Sequence, residues 1–473
     1  TLLFVIQACG ILALQKETTS NCRRSTERIC FEIGHALHVI VHMRQLAGDI
    51  IINTALLKMY GRCSAFVEAE NVFSDLYPRS TVTWNAILSA YVDQGQGARA
   101  LQLYRNMQRE GMALDQLTCV IALQACSCLA EKEVAICLEE GLYKVTTLEI
   151  GRALCSDAHR EGFTSDITVG NALVSMLGKC GAILEAKNVF NSLTSRTIVS
   201  WNAMLSAYIE QGQGEEALEL FKEMLKQCVI FDHITPICIL QACSKTGSLE
   251  TCQHIHFVII AAGYEFSSSL ATPLIHAYGS CAAMKNGIAF FSSIREPDIM
   301  SWNACINGCV TGGASIDMLD QLNHSGIKPD EVTFISIISA CSHAGLNNKG
   351  LECFVAMGSE YGLIPDLKHY GSVIDLLGRA GQLEEAQALI QELSPEEVAG
   401  AWMCLLSACK IHSDMDRGQH AASCCIKLDP RNDAPYVVLS NIYADAGQWN
   451  DVTFVRESLL LATSDLSETW ITS

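Results

Sequence analysis

One segment of this chain comes back twice, and that recurrence limits the fold more than any other feature. The run TVTWNAILSAYVDQGQGARALQLYRNM from Thr81 returns as TIVSWNAMLSAYIEQGQGEEALELFKEM from Thr197, then as DIMSWNACINGCV from Asp298. Trp84 and Trp201 stand 117 residues apart, as do Cys9 and Cys126, and Cys126 and Cys243. From Trp201 to Trp302 the spacing is 101. A period of this size means stacked supersecondary units, each too small to bury its apolar surface alone.

The units read as helical hairpins. Trp84, Ile87, Leu88 and Tyr91 fall at i, i+3, i+4 and i+7, and Trp201, Met204, Leu205 and Tyr208 repeat that face. Gly95 and Gly97, then Gly212 and Gly214, stop the first helix. A second amphipathic helix follows through Ala100, Leu101, Tyr104 and Met107, and in the next copy through Ala217, Leu218, Phe221 and Met224. Stacked pairs of this kind make an all-α solenoid with a concave surface.

Composition agrees with a continuous array. Hydrophobic residues are 49% of the 473 and charged residues 18%, while proline is sparse, with 9 residues and no Ser/Gly-rich linker. The 23 cysteines include no C-x-x-C. Several recur at equivalent positions (Cys9, Cys126, Cys243 and Cys341; Cys63, Cys180 and Cys281), which reads as small buried thiols in a reducing compartment. No apolar run reaches the ~18 residues that span a membrane. The formal charge of −19 opposes nucleic-acid binding through phosphates, which needs clustered Lys and Arg.

These repeats resemble the P, L and S repeats of the plant-type pentatricopeptide-repeat family, a right-handed α-solenoid superhelix of helix-turn-helix units. On that pattern residues 1–49 form a truncated L repeat. S repeats run 50–80, 167–197, 268–298 and 367–398; P repeats 81–115, 198–232 and 299–330; L repeats 116–166, 233–267 and 331–366. The last P repeat is three residues short. AWMCLLSACKIHSDMDRGQHAA and APYVVLSNIYADAGQWNDV, within 399–463, resemble the family's two tetratricopeptide-like extension (E) motifs, and 464–473 is a tail. The first two L repeats carry 16-residue inserts, roughly Gln15–Cys30 and Lys132–Thr147, between their helices.

The resemblance implies that each repeat faces one base of single-stranded RNA. The fifth and last residues read the base edge, and an apolar second residue packs on its face. Carried onto this chain, Asn85 with Asp115, Asn202 with Asp232 and Asn303 with Asp330 imply uridine. Thr272 with Asp298 implies guanosine, Asn171 with Thr197 a pyrimidine, and Thr54 with Ser80 no preference. The apolar clamps are Val82 with Leu117, Val199 with Ile234, and Met300 with Val332. L repeats offer Val120, Ile237 and Ile335 at the fifth position, which read no edge. The implied site is 5′-U-n-Y-U-n-G-U-3′.

Chemistry-bearing motifs are weak. His159-Arg-Glu161 matches the H-x-E of zinc deaminases, but the completing P-C-x-x-C is missing. Gly95-Gln-Gly97 joins two helices rather than a strand and a helix, unlike a dinucleotide site. The resemblance therefore implies no catalysis, cofactor or metal in this chain, and neither DNA nor membrane as a partner. It implies an RNA-binding specificity factor for cytidine-to-uridine editing in a mitochondrion or chloroplast, with a deaminase or other editing factor engaged through 399–463. An RNA-processing or stability factor, a tetratricopeptide-like protein scaffold and a decayed copy are the alternatives.

Overall fold

The computed structural model describes residues 2–13, 20–46, 48–138, 141–261, 263, 268–308, 312–393, 398–430 and 432–468. The chain divides into two compact units, Thr1–Thr246 and Gly247–Ser473. Both are stacks of paired helices. In the first unit, Ile50–Arg62 pairs with Phe66–Ser74, Thr81–Asp93 with Gly97–Arg109, Ile167–Lys179 with Ile183–Ser192, and Ile198–Glu210 with Gly214–Lys226. In the second, Ser268–Ser280 pairs with Met284–Ser293, Ile299–Gly308 with Gly312–His324, Glu331–Ala344 with Asn347–Ser359, and Leu367–Arg379 with Leu383–Gln391. Val398–His412 with Met415–Leu428, then Ala434–Asp445 with Trp449–Glu468, follow in the same manner. Within each unit the first helix of one pair packs on the first helix of the next, so these helices form a continuous row.

Local chemistry sets the hairpins. Gly95 and Gly212 take φ of +67° and +76°, a left-handed turn that costs glycine nothing. Ser80, Asp115, Asp330 and Asp366 cap the first helices that follow them by accepting backbone N–H groups. The repeated tryptophans fill the space between neighbouring pairs. Trp84 meets Phe73 edge-on at 4.6 Å, Trp201 meets Phe190 at 5.1 Å and Trp302 meets Phe291 at 4.6 Å. All three indoles are buried, each contributing on the order of 2 kcal/mol. Where the first helices approach most closely, side chains must be small: a Cβ built on Gly178 would lie 2.4 Å from Ala207 Cβ.

The end of each first helix is often completed by the pair that follows it. Lys132 Nζ donates to Gly95 O (2.7 Å), Gln211 Nε2 to Gly178 O (3.0 Å) and Lys245 Nζ to Ile209 O. In the second unit His412 Nε2 donates to Gly378 O at 2.8 Å. Carbonyls at the helix end, which a lone helix satisfies at most through its own turn, thereby gain a side-chain donor from the next repeat.

One insert departs from the all-helical expectation. After Gln116–Lys132 the chain forms a two-stranded antiparallel hairpin, Ile136–Leu138 against Gly141–Tyr143, before Val145–Arg160 begins. Glu133 closes the excursion by accepting the Thr146 and Thr147 amide hydrogens at 2.9 Å each, capping the returning helix. The strands satisfy part of their backbone within the insert, and the Lys144 amide donates outside it to Cys180 O at 3.1 Å. Of the first insert, 15–19 lie outside the described residues, and the remainder begins the helix Ser20–Met43. Of the recurring cysteines, Cys9, Cys126, Cys180, Cys243 and Cys341 are buried, while Cys63 and Cys281 are only half-buried. Burial pushes the Cys9 and Cys341 thiols up.

A histidine–tyrosine pair occurs once in each unit. His38 Nδ1 lies 3.0 Å from the Tyr60 hydroxyl, and His256 Nδ1 lies 2.8 Å from that of Tyr278. Burial lowers the His256 pKa below its ordinary value, and His256 Nε2 is enclosed without a partner. Burial, then repulsion from His42 and His35, does the same to His38. Because the fold favours the neutral rings, their contribution to stability is complete above about pH 6.5 and is lost as pH falls below it. The helical signal should melt at a lower temperature at pH 5.5 than at 7.5, and less so in a His38→Gln/His256→Gln chain. An identical pH dependence in both chains would refute this assignment.

Candidate nucleic-acid interface

The asparagine–aspartate pairs meet in space, although the members of each lie about 30 residues apart. Asn85 Nδ2 donates to both Asp115 oxygens (3.0 and 3.1 Å), Asn202 Nδ2 to Asp232 Oδ1 (3.1 Å) and Asn303 Nδ2 to Asp330 Oδ1 (2.9 Å). The asparagine comes from the second turn of one first helix, and the aspartate caps, or directly precedes, the first helix of the next pair. The asparagines are only 5, 7 and 8% exposed, so their amides are held among packed side chains. Burial pushes the Asp115 carboxyl up, but hydrogen bonds from Thr118 and Asn85 outweigh this and hold it below the usual carboxylate range. Asp232 is likewise held low, with burial opposed by Asn202, Thr235 and Ile234. Both therefore stay charged at neutral pH.

A third member of each group is not evident from the repeat pattern. Thr118, Thr235 and Thr333 lie three residues after the aspartates, and each hydroxyl donates to the asparagine Oδ1 at 2.7 Å. An amide offers two N–H donors and two lone pairs. With one of each taken by the aspartate and the threonine, each asparagine keeps one N–H and one lone pair, which is the complement of a pyrimidine edge.

The other pairs are not joined in this way. Thr54 turns its hydroxyl to Ile50 O (2.6 Å), while Ser80 engages Thr83. Asp298 turns its carboxylate to Ser301, accepting from the amide at 2.8 Å and the hydroxyl at 2.6 Å, and no bond from Thr272 reaches it among the described residues. Thr197 Oγ1 pairs with Ser200 Oγ at 3.3 Å, which leaves Asn171 Oδ1 buried with no partner. Val120, Ile237 and Ile335 are half-buried.

Beside the pairs in each unit stand exposed aliphatic side chains. Val82, Leu117, Val199, Ile234, Met300 and Val332 are 43–63% exposed at the starts of their first helices. Apolar side chains repeatedly left in solvent at one structural position are a surface for something to cover. Ile51, 65% exposed, occupies the same place in its repeat and extends the set beyond the residues the pattern named. A hollow of about 420 Å³ shows what such a position can hold: Ile6, Ile51 and Val82 form its apolar walls, with Thr54, Lys58 and Arg62 beside them. Lys58 and Arg62 form no ion pair among the described residues, whereas Lys179 is paired with Glu131 and Arg379 with Asp375.

Two other features are accounted for. His159 and Glu161 are exposed at the end of the helix Val145–Arg160. Among the described residues no group of three or more His, Cys, Asp and Glu side chains is placed to hold a metal ion, and no helix is long and apolar enough to cross a membrane.

Comparison with known proteins returns the same pattern. The PPR repeat family matches residues 79–128 and 196–245, a pentatricopeptide repeat domain matches 317–380, a PPR repeat matches 368–394, and an E motif matches 412–461. The pentatricopeptide repeat-containing protein At4g33990 of Arabidopsis thaliana is 32% identical over 453 residues, covering 94% of this chain and 53% of its own length. The chloroplastic At1g11290 of the same plant is 31% identical over 431 residues, covering 90 and 51% respectively. The mitochondrial At1g06140 is 29% identical over 462 residues, covering 97 and 77%. The chain thus spans about half the length of the first two relatives. Among solved structures, the pentatricopeptide repeat protein PPR10 in complex with an 18-nt psaJ RNA element is similar in fold. It has a TM-score of 0.53 and 16% identity, over 98% of this chain and 74% of that one.

Proposed function

Because the chain belongs to the plant pentatricopeptide-repeat family and carries an E motif, we propose that it binds single-stranded RNA by sequence, taking one nucleotide per repeat. The observation that carries this reading is the threefold recurrence of a pinned asparagine amide beside an exposed aliphatic side chain. Duplication alone copies residues. It does not require their amides to keep free valences next to uncovered apolar surface. Uridine faces Asn85, Asn202 and Asn303, and the aliphatic side chains pack on the faces of the bases. The acidic balance makes nonspecific binding weak.

The finer proposal is that the chain selects sites for cytidine-to-uridine editing in a mitochondrion or chloroplast, the compartments named for its relatives. On this reading residues 399–463 engage a deaminase supplied by another protein, and the chain itself performs no reaction. A processing or stability factor would bind RNA in the same way without that partner, so co-purification of a deaminase separates the two.

The direct test is a gel-shift titration at near-physiological salt, with RNA carrying U-n-Y-U-n-G-U against the same RNA with each uridine changed to adenosine. A preference of about tenfold, ~1.4 kcal/mol, for each uridine read, cut by about tenfold in Asn202→Ala, is the expected result. Equal or absent binding to both RNAs refutes RNA reading and favours a protein-binding scaffold.

A further inference from the structure

We propose that Thr118, Thr235 and Thr333 decide which pyrimidine the asparagines accept, acting as latches that stop each amide from turning over; this rests on the RNA-binding reading. Uracil presents a carbonyl acceptor beside the N3–H donor, whereas cytosine presents an amino donor beside the N3 acceptor. A side-chain amide also presents one donor and one acceptor, and a half-turn about its terminal bond exchanges them. An asparagine free to turn therefore satisfies either pyrimidine, and one that is fixed satisfies only one of them.

Three copies show the amide fixed at both ends. The aspartate accepts from Nδ2, and the threonine hydroxyl lies 2.7 Å from Oδ1 in each copy, with an aspartate oxygen as its second acceptor at 2.7, 3.4 and 2.9 Å, so the donation to Oδ1 is least shared at Thr235. In the third copy the Asp330 N–H donates to Thr333 Oγ1 at 3.1 Å, which directs the hydroxyl hydrogen outward to the acceptors Asn303 and Asp330. Turning the amide over would set its oxygen against a carboxylate and end the threonine's donation to Oδ1. The first change replaces attraction by repulsion and the second removes a hydrogen bond, in a site where water is largely excluded. The threonines are fully buried and touch no position where a base would lie, so they are positioning residues.

Asn171 is the contrast within the same chain. Thr197 stands where the aspartate would be, the Ser200 hydroxyl is engaged with Thr197, and Asn171 Oδ1 has no donor although the residue is 9% exposed. Neither end of that amide is held, so Asn171 accepts uridine and cytidine alike, while the latched asparagines take uridine.

The test compares the parent chain with Thr235→Val, which keeps the side-chain shape and removes the hydroxyl, and with Thr235→Ser, which restores the hydroxyl. Each is titrated with RNA carrying U or C opposite Asn202, with helicity checked by circular dichroism. The parent should prefer U by about tenfold, the range of one two-point base contact. The valine variant should hold the two RNAs within about threefold of each other, mainly through tighter binding of C, and the serine variant should return the preference. An unchanged U-to-C ratio in Thr235→Val, or an equal loss for both RNAs, overturns the latch while leaving RNA binding intact. A parent chain that binds neither RNA overturns the RNA reading, and the pyrimidine assignment falls with it.

Discussion

Replacing Asn85, Asn202 and Asn303 together by alanine should weaken binding to U-n-Y-U-n-G-U by on the order of a thousandfold and abolish the preference over its adenosine counterpart. Each asparagine accounts for about tenfold, ~1.4 kcal/mol, and the three share no partner, so their losses add. Removing the amide also strips Asp115, Asp232 and Asp330 of one donor, leaving each held by its own helix start alone. Titration of parent and triple variant with both RNAs measures this directly. A combined loss below tenfold would mean that the bases are held elsewhere, with the exposed aliphatic side chains as the remaining candidate.

The second large effect concerns stability. Trp201→Ala removes a fully buried indole that fills the space against Phe190 and should cost about 3–5 kcal/mol. In a stacked array that cost falls on the affected pair and its neighbours rather than on the whole chain. Hydrogen exchange should accelerate on the order of a thousandfold in Ile183–Ser192, Ile198–Glu210 and Gly214–Lys226, the range those energies imply. Protection in Leu367–Arg379 and Ala434–Asp445 should be unaffected. Acceleration spread evenly over every helix would show that the chain unfolds as one cooperative body.

The helices could be found from sequence because their signals are local. Trp84, Ile87, Leu88 and Tyr91 mark a buried face within two turns, and Gly95 marks its end. The latch residues carry no such signal. Thr118 sits where a threonine suits the start of a helix, and its partner Asn85 lies 33 residues earlier, so only the packed pair of repeats shows where the hydroxyl points. Thr272 and Asp298 illustrate the reverse. Their positions match a base-reading pair, yet no hydrogen bond joins them among the described residues, where Asp298 accepts from Ser301. The hairpin Ile136–Leu138 with Gly141–Tyr143 also went unseen, because a short insert between helices has no periodicity to betray it. Ile51, Lys58 and Arg62 were missed because their common feature is the hollow they line, which three separate helices build.

The bonds that close one helix end from the next pair bear on how such a chain can be recombined. A crossover at the boundary after Asp115 keeps Asn85 with Asp115 but parts it from Thr118, and parts Gly95 from Lys132. A crossover inside the second helix Gly97–Arg109 parts Asn85 from Asp115 as well. The portable cassette is therefore a run of repeats cut after its last aspartate, in which the residues that follow the cut must again supply a threonine at the third place. Libraries spliced in that frame should yield folded chimeras with predictable base order, whereas those cut inside second helices would scramble both.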